Sequence, residues 1–141
     1  MNSFESRLGA LAPWFLALLR IVTALLFMSH GTMKLLGFPA SDFQPALFSL
    51  VGLAGVLEIV GGILLVLGLF TRPVAFILSG QMAVAYFMAH AGQSFFPLQN
   101  GGESAVLFCF VFLYLVFAGP GAAAVDNLRR GGALPAPSPA R

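Results

Sequence analysis

Charge and cysteine are both scarce in this sequence. Only 9% of the 141 residues are charged, and the formal net charge is +2. Basic residues this few and scattered do not form the patch that a nucleic acid needs, which excludes nucleic acid as a partner. The single cysteine, Cys109, excludes an intrachain disulfide, a CxxC redox motif, a structural zinc site and a cysteine-ligated iron–sulfur cluster. We therefore predict no metal site, and any redox chemistry has to come from other groups.

The sequence is instead rich in apolar residues. They make up 59% of the chain, with 15 Phe and a mean hydropathy of +0.94. This composition lies far outside that of soluble domains and predicts a single membrane domain whose surface is covered by lipid. The N-terminus carries Glu5 and lacks a basic region before its apolar stretch, so we expect the first hydrophobic segment to be retained and not removed as a signal peptide.

Four apolar stretches predict four transmembrane helices, at about residues 14–33, 50–70, 73–90 and 103–118. The fold class is therefore all-α, an integral membrane four-helix bundle. The N-terminus, second loop and C-terminus share one side, which holds five Arg, whereas the other side holds only Lys34. By the positive-inside rule both termini are cytoplasmic. We predict a four-span domain over residues 1–126, a disordered cytoplasmic tail over 127–141, and a multi-pass location in the bacterial inner membrane.

The second stretch carries one charge, Glu58, near its middle. Gly55 and Gly62 lie on the same helical face, so another helix can approach this carboxylate closely. From the helical rise, Arg20 lies roughly 9 Å and Glu58 about 18 Å from the inner end of their spans. A charge near the bilayer centre costs about 2.5 to 3.5 kcal/mol, which favours a structural ion pair between Arg20 and Glu58, bridged by Gln81. The alternative is that this pair only holds the first two helices together.

A second polar group is predicted at the outer edge of the membrane. His30 and His90 both lie roughly 24 to 26 Å from the inner end, close to Lys34 and Glu103. Histidine exchanges protons near neutral pH, lysine hydrogen-bonds a carbonyl and glutamate accepts a proton, which suits reduction of a quinone head group. The alternative is that these four side chains are simply solvated by water because they lie at the helix ends. We predict Glu58 and Glu103 as catalytic residues and, as quinone-binding residues, His30, Lys34, Tyr86 and His90.

The third stretch contains a conflict between two polar residues. Gln81 and His90 are nine residues apart, about 180° on a helical wheel, so a straight helix cannot direct both into the bundle. Met82, Ala85 and Tyr86 lie on the face that leans towards His90, and we favour that face as the inward one. Gln81 would then pair with backbone or with another subunit.

Several pieces of the chain together resemble the DoxX family of small four-span bacterial membrane proteins. The likeness covers about residues 17–126, and the order and spacing of the pieces are more specific than any one of them. They are LLR from Leu18, HGTMKLLGF from His30, LEIVGGILLVLGLFTRPVA from Leu57, NGGESAVL from Asn100 and GPGAAAVD from Gly119. The resemblance implies a four-helix bundle in the cytoplasmic membrane. By this resemblance, the polar positions of the motifs are occupied by six residues: His30, Lys34, Glu58, Arg72, Glu103 and Asp126.

The resemblance also implies a link to quinone-dependent oxidoreduction, because the family is named for its similarity to subunits of a thiosulfate:quinone oxidoreductase. This chain has no recognisable thiosulfate-binding domain and no second cysteine, which argues against thiosulfate as its substrate. The main alternative is a non-catalytic anchor or assembly subunit of a redox complex. Haem b held by His30 and His90 and a small transporter are less favoured. The partners expected are the lipid bilayer and either other redox subunits or further copies of the chain.

Overall fold

The computed structural model describes residues 3–42, 44–129 and 131, and this part of the chain is helical and without β-strands. The prediction of an all-α chain is confirmed. Four helices are long and two are short. Their bounds are α1 Ser3–Leu36, α2 Leu50–Leu67, α3 Thr71–Ala89, α4 Pro97–Asn100, α5 Glu103–Ala118 and α6 Val125–Arg129.

Helix α1 is longer than the sequence predicted. It begins at Ser3 and continues through Pro13, whereas the prediction placed the helix start at residues 13 and 14. At 1.5 Å per residue its 34 residues extend about 51 Å, well beyond a hydrocarbon core of about 30 Å. The main-chain oxygen of Pro13 accepts a hydrogen bond from Ala122 N at 2.8 Å, so the segment after α5 packs against this part of α1.

Two helices, α1 and α2, are long and apolar enough to cross a membrane, over Phe4–Leu36 and Leu50–Leu67. Helix α5 is apolar but shorter. The outward faces of all four long helices are covered by exposed Leu, Ile, Val and Phe side chains. An apolar surface of this extent matches contact with lipid tails.

The four long helices associate in two pairs, α1 with α2 and α3 with α5, and α2 joins the pairs through α3. Small residues allow the first pair to approach closely. A Cβ placed at Gly31 would lie 2.8 Å from the main-chain oxygen of Gly55 and 2.9 Å from the Cβ of Glu58. The predicted face of α2 with Gly55, Glu58 and Gly62 is buried. Between the pairs lies an apolar core, to which all four helices contribute Ala24, Phe27, Leu65, Ala75, Leu78, Met82, Ala105, Phe112 and Leu115.

The turn between α2 and α3 is closed by a residue from the far end of the chain. Gly68 ends α2 in the left-handed conformation with φ 65°. Asp126 then accepts hydrogen bonds from Phe70 N and Thr71 N, both at 2.8 Å, and so caps α3. Helix α6 crosses the predicted domain boundary at residue 126, so residues 127–129 are helical. Apart from Gly131, the remainder of the predicted disordered tail lies outside the described residues.

The close approach of α1 and α2 gives a first prediction. Gly31→Ala should lower the free energy of unfolding by about 1 to 3 kcal/mol, because its Cβ meets main-chain and side-chain atoms of α2 that have to shift. The measurement is unfolding of the detergent-solubilised protein. Gly9→Ala is the matched control, since Gly9 lies in the same helix with nothing within 4 Å of a Cβ. It should be neutral or stabilising by up to about 1 kcal/mol. Equal stability of the two variants would contradict the packing described.

Candidate functional site

The buried carboxylate of Glu58 pairs with Lys34. Lys34 Nζ lies 2.5 Å from Glu58 Oε1, and the two side chains are 19% and 2% exposed. The predicted ion pair between Arg20 and Glu58 is therefore wrong. Arg20 Nη2 donates instead to the main-chain oxygen of Ala123 at 3.0 Å, and Arg20 interacts electrostatically with Asp126.

The register of the helix pair explains this correction. Gly31 packs against Gly55 and Glu58, so Lys34, one turn further along α1, lies opposite the carboxylate. Arg20 precedes Gly31 by 11 residues, about 16 Å along the helix, and lies beside Gly68 at the other end of α2. The prediction was wrong because it placed the inner ends of the two spans, residues 14 and 70, at the same level. Arg20 itself lies beside Gly68 at the end of α2, so residue 14 lies beyond that end.

A cavity of about 130 Å³ lies beside this ion pair, bounded by side chains from α1, α2, α3 and α5. It brings together three of the residues predicted from their depth, His30, Lys34 and His90, and adds Glu58. The complete lining is Phe27, His30, Lys34, Glu58, Met82, Ala85, His90, Ser104, Ala105 and Phe108. We call it the Glu58 cavity.

One oxygen of Glu58 is left without a partner. Oε1 accepts a hydrogen bond from Lys34 Nζ. Gln81 Nε2 lies 3.3 Å from the same oxygen and 3.3 Å from Ala54 O. Oε2 is buried and accepts no hydrogen bond from any described residue. A buried polar atom in this state costs about 1 to 3 kcal/mol, and more when charged, so it indicates a place where a ligand or water donates a hydrogen bond.

The structure resolves the conflict between Gln81 and His90. Gln81 faces Glu58 from within α3, whereas His90 lies just after the helix ends, with φ −120° and ψ −48°. Because His90 is the C-cap, the 180° separation of a straight helix does not apply to it. Both residues therefore face the interior, together with Met82 and Ala85 of the favoured face.

The orientation of His90 is set by the short segment around α4. Its Nδ1 lies 2.9 Å from the main-chain oxygen of Asn100. A carbonyl oxygen only accepts, so Nδ1 carries the hydrogen and Nε2 is the basic nitrogen of the neutral ring. Asn100 is itself buried, donating to Ser94 O at 2.9 Å and Tyr86 Oη at 3.3 Å and accepting from Gly102 N at 2.8 Å.

Asn100 is the functional candidate that sequence reasoning missed. The available signal was its place in an Asn-Gly-Gly turn, since Asn side chains commonly bond to nearby backbone in turns. Tyr86, predicted to bind quinone, does not line the Glu58 cavity. Its ring lies against His90, with centroids 6.4 Å apart and planes at 23°, so it supports His90 from behind.

Glu103, predicted as catalytic, is also not brought to the cavity. It is the exposed first residue of α5, and the next residue, Ser104, lines the cavity in its place. The rotation of α5 is the cause. Ala105, Phe112 and Leu115 are buried in the core, which turns the face carrying Glu103, Phe110, Tyr114 and Phe117 outward.

Aromatic rings form the apolar wall of the Glu58 cavity. The rings of Phe27 and Phe108 lie 5.3 Å apart, and the ring of His30 meets Phe108 edge to face at 5.8 Å. A flat apolar ring with polar substituents would find aromatic contact on one side and the Lys34–Glu58 pair on the other.

Comparison with known proteins assigns the chain to a family. The DoxX family model matches residues 15–91, more than half of the chain. The chain belongs to the DoxX family. An uncharacterised protein of Haemophilus influenzae is 54% identical over 137 residues, covering 90% of this chain and 96% of that protein. The inner membrane protein YphA of Escherichia coli is 32% identical over 130 residues, covering 84% and 93%. No solved structure matches.

Membership of the DoxX family confirms the resemblance inferred from the motifs. Together with the inner-membrane relative and the two apolar helices, it identifies this DoxX protein as a multi-pass protein of the bacterial inner membrane.

The Lys34–Glu58 pair generates a second prediction. Lys34→Met should destabilise the protein by about 3 kcal/mol, because it leaves a buried carboxylate without its cation. Glu58→Gln should cost less, since Lys34 is partly exposed and its ammonium group can turn towards water. Unfolding free energies in mixed detergent micelles measure both.

The double variant Lys34→Met with Glu58→Gln is the control for the charge. It should be more stable than Lys34→Met alone, because no uncompensated charge remains buried. If the double variant shows no recovery, the pair is not the source of the loss.

Proposed function

We propose that this DoxX protein binds the head group of a quinone in the Glu58 cavity, as the membrane subunit of a quinone-linked oxidoreductase. The observation that carries the proposal is the unpartnered, buried Oε2 of Glu58 beside Lys34 in an aromatic-walled cavity. The site is proposed from these contacts, and the family supplies the link to quinone chemistry.

The size of the cavity agrees with a head group only. A volume of about 130 Å³ falls below the roughly 300 to 1,000 Å³ of whole-ligand and cofactor pockets. A single substituted ring would enter while its isoprenoid tail stays outside among the exposed apolar side chains. A haem macrocycle held between His30 and His90 needs more space than this cavity offers, which favours a quinone head group over haem b.

Each polar residue has a role suited to such a ring. A bound quinone accepts two electrons from a partner redox protein and two protons, and leaves as the quinol. Lys34 donates a hydrogen bond to a carbonyl oxygen, and Glu58 Oε1 holds the ammonium in place. His90 Nε2 takes up a proton from water and passes it to the ring, once for each of the two protons, while Nδ1 stays bonded to Asn100 O. Glu58 Oε2 accepts a hydrogen bond from a hydroxyl of the quinol.

The proposal is tested by quinone binding to protein in mild detergent, using short-chain ubiquinone and menaquinone as probes. His90→Phe keeps a ring but removes Nε2, and Ser104→Ala removes a lining hydroxyl. His90→Phe should weaken binding roughly tenfold, as expected for one lost hydrogen bond of about 1.4 kcal/mol. Lys34→Met should weaken it further.

Glu103→Gln is the matched carboxylate control. Glu103 lies next to Ser104 in α5 but outside the cavity, so its neutralisation should leave binding unchanged. Failure of both quinones to bind the unaltered protein would reject the quinone site and favour the non-catalytic anchor or assembly subunit. If only Glu103→Gln weakens quinone binding, the quinone site lies at the helix ends near Glu103 and not in the Glu58 cavity.

We further propose that α1, α2, α3 and α5 all cross the bilayer as a four-helix bundle with both termini in the cytoplasm. The support is the uneven distribution of Arg between the two ends of the helices, with only Lys34 at the opposite end. The Glu58 cavity then lies towards the outer face.

Reporter fusions in the bacterial membrane test this orientation. Green fluorescent protein fused after residue 141 should fluoresce, and alkaline phosphatase fused there should be inactive. The same phosphatase fused after Gln93, between α3 and α4, should be active because this loop is expected outside. An active phosphatase at the C-terminus would reverse the topology.

A further inference from the structure

A second cavity lies at the opposite end of α3, about 28 Å from His90 by helical rise. It measures about 400 Å³ and is lined in part by Thr71, Arg72 and Arg129. We propose that this Arg72–Arg129 cavity binds a phosphate group, either in the head group of an anionic phospholipid or as free phosphate. The inference is independent of the quinone proposal, because the two cavities share no lining residue.

Two guanidinium groups supply the positive charge of the cavity. Arg72 Nη1 is bound to the main-chain oxygens of Val116 and Phe117 at 2.5 and 2.8 Å, which anchors the side chain at the end of α5. Its Nε and Nη2 donate to no acceptor in the described part of the chain. Arg129 lies over the ring of Phe70 at 4.6 Å, and a stacked guanidinium keeps its in-plane N–H groups for another acceptor.

The third donor is a buried hydroxyl without a partner. Thr71 is fully buried at the start of α3 and lines the cavity, and its Oγ1 makes no hydrogen bond to any described residue. A hydroxyl in this state indicates that an acceptor is supplied from outside the chain. Thr71, Arg72 and Arg129 therefore present donors around one cavity, as phosphate oxygens require.

Asp126 also lines the cavity, and its charge opposes an anion. Both of its carboxylate oxygens accept hydrogen bonds, one from Phe70 N and one from Thr71 N. Since these amides are already occupied, the proposed site does not depend on the helix terminus. The lining contains one negative charge, from Asp126, and two positive charges, from Arg72 and Arg129. Its net charge is therefore positive.

The test is thermal unfolding of the full-length protein in neutral detergent, titrated with dioctanoyl phosphatidylglycerol or with inorganic phosphate. Dioctanoylglycerol, which has the same chains but no phosphate, is the control for apolar binding. We expect a concentration-dependent rise in Tm, since a ligand that binds only the folded state stabilises it. A rise with phosphatidylglycerol alone identifies a lipid head group, and a rise with both identifies a site for free phosphate as well.

Two variants assign that rise to the cavity. Thr71→Val and Arg129→Gln should each raise the apparent dissociation constant roughly tenfold, as expected for one lost charge-assisted hydrogen bond. Without ligand, Thr71→Val should be at least as stable as the unaltered protein, because the hydroxyl it removes has no partner. This separates loss of the site from loss of the fold.

Arg7→Gln is the charge control, since Arg7 is exposed on α1 and removing it lowers the net charge equally. It should bind as the unaltered protein does. The proposal is overturned if neither phosphate probe raises the Tm, if dioctanoylglycerol raises it equally, or if Thr71→Val and Arg129→Gln bind normally. It is also overturned if Arg7→Gln weakens binding as much as Arg129→Gln.

Discussion

The structure depends on the contact between α1 and α2 at Gly31 and Gly55. The close approach of the two backbones at this point sets the register that places Lys34 opposite Glu58. A carboxylate that is 2% exposed on an apolar helix needs a cation to remain charged, so the register and the ion pair support each other. The Glu58 cavity, its unpartnered oxygen and its polar lining follow from this arrangement.

The buried charged side chains of Arg20 and Glu58 lie at two different levels along the helices. Glu58 near the middle of α2 is grouped with Lys34 and His90, and Arg20 with Asp126 lies near the end of α2. Between them the helices meet through Phe27, Leu65, Phe112 and other apolar side chains. This division separates the cavity proposed for a quinone ring from the cavity proposed for a phosphate, with a mainly apolar layer between them.

The four long helices could be predicted because each contains a long, predominantly apolar run. Helices α4 and α6 could not, since four or five residues carry no helical periodicity. Depth along the helix grouped His30, Lys34 and His90 correctly. It failed for Arg20 and Glu103 because depth fixes neither the sliding of one helix against another nor the rotation of a helix about its axis. Those are set by particular contacts, Gly31 on α2 and Phe112 in the core.

The cap that Asp126 provides for α3 has a consequence for the order in which the protein is made. The amides of Phe70 and Thr71 are satisfied by a residue that leaves the ribosome 55 residues after Thr71. The carboxylate that caps the first turn of α3 is therefore present only after α5 has been synthesised. Closure of the α2–α3 turn thus depends on the segment after α5, which ties the two helix pairs together at this end of the molecule.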